Sequence, residues 1–299
     1  IKKTTLTITD VVFIIAPRIN AAGRMKHGLH AVELLTEENE EQAQLFAQEI
    51  EQYNKERREE DRSITELALQ QILDHKEEDR YTTVVYQEDW HKGVIGIVAS
   101  RLTETYYRPT LVFTKSGEKL AASARSVKGF DVYNALEACQ EYIEQFGGHR
   151  YAAGLTLHEN QYENFKQKFE EVVAASIETR LLTPEIKIDA ALSLTEITPK
   201  FYRILKQFAP FGPGNMAPTF LTTNLTDTGY AKAVGQENDH LKCCVQQLPN
   251  QEMLGAIGFN LGKKLKTVAN KEPFDAVYSV EENEWNGNVS LQLKLKDIR

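Results

Sequence analysis

The chain has 299 residues, with 43 Asp and Glu against 35 Lys and Arg, and a formal net charge of −8. That balance excludes a basic coat for nucleic acid spread over the whole surface, since partners read the charge of the patch they face. A hydrophobic fraction of 41 % supports ordinary cores, the length predicts two domains of roughly 100 to 200 residues, and no apolar run approaches the ~20 residues of a membrane span.

The chain opens on Ile1 rather than Met and soon enters the β-branched run Val11-Val12-Phe13-Ile14-Ile15, which predicts a strand. A domain seldom starts this way, so the sequence reads as a fragment that lacks an N-terminal partner. Pro17-Arg18-Ile19-Asn20-Ala21-Ala22-Gly23-Arg24 follows, rich in small residues. Two arginines and an Asn on a backbone open to close approach suit phosphate oxygens, because guanidinium offers a bidentate fork. The competing reading is a turn that exposes two solvated arginines.

Residues 36–76 place Ala43, Phe46, Ala47, Ile50 and Tyr53, then Ile64, Leu67, Ala68, Ile72 and Leu73, at helical spacings. A long helix capped by Thr36 is expected, with Glu37 and Glu38 in the first turn. Residues 54–62 are polar throughout, and residues 37–80 hold 15 acidic against 6 basic side chains, so most of the net charge sits here. The pattern predicts apolar ends packed on two different domains and a solvated middle, with a coiled coil as the competing reading.

From 81 to 182, strand and helix signals alternate: strands at 82–86, 110–114, 120–127 and 153–157, helices at 93–106, 131–146 and 162–182. This reads as an α/β domain. Ser123-Ala124-Arg125-Ser126 ends one strand, and two hydroxyls beside an Arg can hold an anion. Gly147-Gly148-His149-Arg150 is read first as a helix stop, although an imidazole and a guanidinium with little bulk nearby also suit a phosphate.

Beyond Pro184 the chain turns to short strands at 186–194, 219–225, 240–246, 253–259, 274–281 and 289–298, with one helix at 199–208 and an Asn-Gly hairpin at 285–288. A small antiparallel barrel is expected, the oligonucleotide-binding (OB) type among the possibilities. Tyr230, Phe259 and Trp285 are candidates for stacking on bases, against a reading as core aromatics. His27 and His30 lie three apart but no Asp, Glu or Cys pairs with them at ligand spacing, His91, His149, His158 and His240 are scattered, and Cys139, Cys243 and Cys244 give no disulfide framework, so no metal site and reduced thiols are expected. No secretory signal is present and a cytoplasmic setting is expected.

Taken together and in order, PRINAAGRM (17–25), AVELL (31–35), GVIGIVASRL (93–102), SARSVKGFD (123–131), GGHRYAAGLTL (147–157) and FAPFGPGNMAPTF (208–220) resemble the RecJ family of single-strand-specific exonucleases, within the DHH phosphoesterase superfamily. The resemblance implies α/β plus β architecture: the tail of a DHH catalytic domain at 1–35, a long connecting helix at 36–80, a DHH-associated α/β domain at 81–182 and an OB-type barrel at 183–299. It implies that Arg18, Asn20, Arg24, Ser123, Arg125, Ser126 and Gly148 hold DNA phosphates, with His149 in a supporting place in the cleft. The Asp-His-His signature is absent from this sequence, so the fragment alone is expected to be inactive. In the full-length enzyme, Mn²⁺ or Mg²⁺ in the missing domain would serve hydrolysis of single-stranded DNA from the 5′ end, in repair and recombination. A monomer is expected, with a single-strand-binding protein as a candidate partner and no membrane. The alternatives are a non-catalytic binding or docking fragment and a sibling DHH oligonucleotide phosphoesterase.

Overall fold

The structure, a computed structural model, describes residues 6–212, 214–249 and 252–299. The chain divides into two compact units, Ile1–Pro184 and Glu185–Arg299.

The first unit opens with helices. Thr7 and Asp10 form a reciprocal capping box for α1 (Ile8–Asp10), and the chain continues through a wide helical turn, Val11–Ile15, into α2 (Ala16–Met25) with Pro17 in its first turn. The strand expected at 11–15 is therefore a helix. A strand needs a neighbour to satisfy its backbone, and among the described residues no strand pairs with this run, whereas the cap before it and the Pro after it both favour helix. Phe13 is left 73 % exposed.

After α3 (Leu29–Thr36), α4 runs from Glu40 to Asp74. Its cap is Asn39, whose side chain accepts from the Gln42 amide at 3.0 Å, rather than Thr36, whose hydroxyl donates back to the Val32 carbonyl at 2.9 Å. Ile50 packs with Ala22 and Ala31, while Ile64, Ala68 and Ile72 join a second cluster with Val85, Val98 and Val112. The two apolar ends thus cover different clusters, but the middle is not simply solvated: Asn54 and Asp61 are buried.

β1 (Thr83–Tyr86), α5 (Ile95–Tyr106), β2 (Thr110–Ser116), β3 (Lys119–Arg125), α6 (Val132–Glu137), β4 (Gln145–His149), β5 (Ala152–Leu157) and α7 (Tyr162–Ser176) complete the unit. The strand order is β1-β2-β3-β5-β4, with β1 and β2 parallel and the rest antiparallel. Phe165, Phe169 and Val173 of α7 pack on one sheet face with Phe113, Leu120 and Leu155, and α5 packs on the other. The helix expected over 131–146 stops at Glu137, and Gly147-Gly148 lie in edge strand β4 instead of closing a helix. Pairing with β5 along its whole length holds the glycines extended.

The second unit contains β6 (Ala190–Ala191), α8 (Pro199–Lys206), β7 (Phe220–Asp227), β8 (Lys232–Val234), β9 (His240–Gln247), β10 (Met253–Gly258), α9 (Leu265–Ala269), β11 (Phe274–Trp285) and β12 (Asn288–Ile298). Only two residues of the strand expected at 186–194 pair. The sheet order β6-β7-β11-β12-β10-β9-β8 closes on itself where β7 also pairs with β9, making a ring of five strands. The expected antiparallel barrel is thus a mixed ring-like sheet, because β10 and β12 pair in parallel. Tyr278 is fully buried inside it, hydrogen-bonded to Thr222 at 2.6 Å, which satisfies its hydroxyl without water. Among the described residues no helix is long and apolar enough to cross a membrane.

Candidate nucleic-acid interface

Strands alternate their side chains between faces. On β3, Leu120, Ala122 and Ala124 enter the core shared with α7, and so do Ala153, Leu155 and Leu157 of β5. The opposite face therefore carries Ser123 and Arg125, and their partners across the ladder are Gly154 and Ala152, followed by Gly147 and His149 on β4. An added Cβ would meet nothing within 4 Å at Gly147, and nothing nearer than the Ala122 carbonyl at 3.7 Å at Gly154. The fold does not need glycine at either position, and the result is a strip of bare backbone beside Ser123 and Arg125.

Gly148 is different. Its φ is +151°, and a Cβ there would fall 2.4 Å from the Ala152 carbonyl oxygen, so glycine is required by the β4–β5 hairpin itself.

A second pair of glycines brings further elements to this strip. A Cβ on Gly93 would lie 2.1 Å from the Arg24 carbonyl oxygen, and one on Gly96, in the first turn of α5, would lie 2.9 Å from the Arg125 guanidinium and 3.1 Å from Ser123 Oγ. The end of α2 can thus close on the segment just before α5, and the first turn of α5 on β3, only because those side chains are missing. Arg24 Nη1 donates to the Gly93 carbonyl at 3.1 Å.

The electrostatics point the same way. Arg125 is half-buried and donates to the Ala124 carbonyl at 2.7 Å, with no carboxylate in contact among the described residues. Burial, and next the charge of Arg24, push its pKa below the ordinary arginine value. Guanidinium remains protonated regardless, so the site holds desolvated positive charge that an arriving anion stabilises. Ser123 Oγ, without a hydrogen-bond partner among the described residues, stands beside it.

The other predicted residues divide. Asn20 is exposed one helical turn before Arg24, on the same face of α2. His149 is exposed, and its Nδ1 accepts from the Tyr151 amide at 3.3 Å, which leaves Nε2 as the ring nitrogen able to donate. Arg18 is engaged elsewhere, pairing with Glu51 of α4 and donating to the Ile14 carbonyl at 2.7 Å. Ser126 donates to the Phe130 carbonyl at 3.0 Å and holds the loop after β3. In the sequence, Gly93 and Gly96 stand inside the stretch GVIGIVASRL without a role of their own and Gly147 reads first as a helix stop, whereas Gly147 and Gly154 lie in strands, where glycine marks close backbone approach.

In the second unit, Tyr230 is 65 % exposed and Phe259 51 % exposed, so both lie on the surface and outside the core. Lys232 sits over the Tyr230 ring at 5.7 Å, and Lys294 over Phe259 at 5.5 Å. Lys232, Lys242, Ile257 and Lys294 form one cross-strand row, an alignment of like charges that favours an anionic partner. The side chain of Trp285 lies outside the described residues.

No three His, Cys, Asp or Glu side chains gather as a metal site among the described residues.

Comparison with known proteins adds family information. The DHHA1 domain family matches residues 79–175, and the RecJ OB domain family matches residues 188–297. The chain is 33 % identical to the single-stranded-DNA-specific exonuclease RecJ of Salmonella typhimurium, over 98 % of this chain and 52 % of that protein. It is 32 % identical to that of Bacillus subtilis, over 95 % of this chain and 36 % of that protein. It therefore spans about half or less of the length of these relatives. Among solved structures, RecJ of Thermus thermophilus in complex with Mn²⁺ superposes with a TM-score of 0.82 at 25 % identity, over 97 % of this chain and 41 % of that one.

Proposed function

The chain belongs to the RecJ family, and on that premise we propose that it is the strand-holding half of a single-stranded-DNA-specific exonuclease that degrades DNA from the 5′ end in repair and recombination. The observation that carries this reading is the half-buried Arg125 without a carboxylate partner, beside Ser123 and a strip of bare glycine backbone. A flexible single strand can bend one phosphodiester into close contact with such a strip.

Arg24, Ser123 and Arg125 hold a phosphate above Gly147 and Gly154. Asn20 donates alongside, and the outward Nε2 of His149 faces the same strip as a further donor. Fixed donors of this kind favour the extra negative charge that develops as a phosphodiester is attacked. Arg18 and Ser126 act one step back, by fixing α2 on α4 and the loop after β3. Gly148 shapes the hairpin that carries His149.

The relatives' structures are named with Mn²⁺ and with Mg²⁺. The described residues do not fit such an ion, so we assign the metal, and the hydrolytic step, to residues this chain does not contain. In the second unit, Tyr230, Phe259 and Trp285 stack on bases while Lys232, Lys242 and Lys294 follow the phosphates. The resemblance extends to a cytoplasmic monomer that meets a single-strand-binding protein.

Fluorescence anisotropy with labelled single-stranded and duplex oligonucleotides tests the reading. Preference for the single strand, with a log-log salt slope of about −0.7 per phosphate contact, is expected. Equal affinity for both, or affinity independent of salt, would overturn it.

A further inference from the structure

A second group of arginines lies in the middle of α4, where Arg57 and Arg101 meet at Asp61. Asn54 and Asp61 are buried there, and the side chain of Arg57 is only 14 % exposed. Arg101 of α5 holds Asp61 through two hydrogen bonds of 2.7 Å, Nε to Oδ1 and Nη2 to Oδ2, so both carboxylate oxygens are engaged.

Arg57 has a poorer arrangement. Its Nη1 lies 3.9 Å from Asp61 Oδ2, its Nη2 donates to Asn54 Oδ1 at 3.1 Å, and its buried Nε has no hydrogen-bond partner. Burial first, and then the charges of Arg58, Arg24 and Arg101, lower its pKa, with Asp61 opposing them. Arg24 is also the neighbouring charge felt by Arg125. The Arg125 guanidinium lies against Gly96 in the first turn of α5, the helix that also carries Arg101, and Arg101 and Arg57 meet at Asp61, so α5 joins the anion site to this cluster in the middle of α4. Both oxygens of Asp61 are already taken by Arg101. A buried guanidinium nitrogen without an acceptor carries a desolvation cost that an arriving anion relieves.

We propose that Arg57 is a further DNA-contacting residue, which takes a second phosphate of the strand held at Ser123 and Arg125 and exchanges its long contact with Asp61 for a phosphodiester oxygen. Asn54 orients the guanidinium from behind, and Arg101 keeps Asp61 occupied so that Arg57 is available. The proposal rests on the anion-site reading above and extends it from the sheet onto α4.

The test uses the 299-residue chain, a fluorescein-labelled oligothymidylate and a salt series, with thermal melting in parallel. Arg57→Gln is expected to bind about tenfold more weakly, as for loss of a hydrogen bond to a charged group, with a salt slope shallower by about 0.7. Arg57→Lys keeps the charge and is expected to restore the slope. Lys55→Gln removes a charge from the exposed face of the same helix and is expected to change neither. Wild-type affinity and slope in Arg57→Gln, with Arg125→Gln impaired, would overturn this proposal alone. Weakened binding in Arg57→Gln with an unchanged slope and a lowered melting temperature would also overturn it, by assigning Arg57 a structural role. A wild-type chain without any salt slope would overturn the anion site and this extension together.

Discussion

Arg101 grips Asp61 with two hydrogen bonds of 2.7 Å, and through that one carboxylate α5 is fixed to the centre of α4. The two partners are unequal, since Asp61 is 2 % exposed while Arg101 remains about half exposed. Removing Arg101 leaves the buried Asp61 carboxylate only its 3.9 Å contact with Arg57, whereas in Asp61→Asn an amide oxygen stays within reach of both guanidiniums and Arg101 can turn to water. Arg101→Ala is therefore expected to cost about 3 kcal/mol, and more than Asp61→Asn. Urea unfolding followed by a probe in the first unit measures both; equal costs would contradict the asymmetry.

Arg125 provides the direct test of the anion site. Arg125→Gln is expected to weaken single-strand binding by about 1.5 to 3 kcal/mol, the range for hydrogen bonds to charged groups, and to flatten the salt slope by about 0.7. Circular dichroism and melting temperature should change little, because the guanidinium is desolvated without a carboxylate partner among the described residues. A large fall in melting temperature with unchanged affinity would show that Arg125 serves the fold instead.

The glycines separate by position. Gly147→Val and Gly154→Val add bulk where the structure has open space, so both variants should fold while losing affinity for single strands. Gly148→Ala meets the Ala152 carbonyl at 2.4 Å and a positive φ, and is expected to destabilise by more than about 1 kcal/mol. Melting curves and anisotropy on the same three variants distinguish floor from hinge.

On the second unit, Tyr230→Ala and Phe259→Ala are each expected to cost about 1 to 3 kcal/mol of single-strand affinity, the range for stacked bases. Neither should affect stability much, since both rings are largely exposed. Isothermal titration with an oligothymidylate reads the loss directly.

Thiol chemistry reports on burial. Burial pushes both Cys139 and Cys243 up to about 12, while Cys244 is only partly buried. Ellman's reagent at pH 8 should therefore label Cys244 first and the other two on unfolding. Because the folded pKa lies above the unfolded value, the associated stability is fully present below about pH 9 and is lost as pH rises toward 12. Melting temperature should accordingly fall above pH 9.

Much of the architecture was legible in the sequence because hydrophobic periodicity survives without tertiary context. The spacing from Ala43 to Leu73 marked α4, the turn at Lys115–Glu118 marked the start of a strand expected over 120–127 that ends as β3 at Arg125, and the Asn-Gly turn marked the last hairpin. What failed were short runs whose conformation depends on a neighbour. Val11–Ile15 has strand propensity but no strand to pair with, and Gly147-Gly148 resembles a helix stop until β5 pairs with it. Chain closure had the same character, since the parallel pairing of β10 with β12 joins segments far apart in sequence. For the site, sequence alone named Asn20, Arg24, Ser123, Arg125 and His149, because residue chemistry is local. Only the tertiary structure decided which of the named residues meet. It turned Arg18 to Glu51 and Ser126 to Phe130, made Gly93 and Gly96 the points where α2 and β3 close on α5, and folded the polar centre of α4 inward around Asp61. Helical phase and strand register decide those outcomes, and both are set by packing between elements, which no single segment of sequence contains.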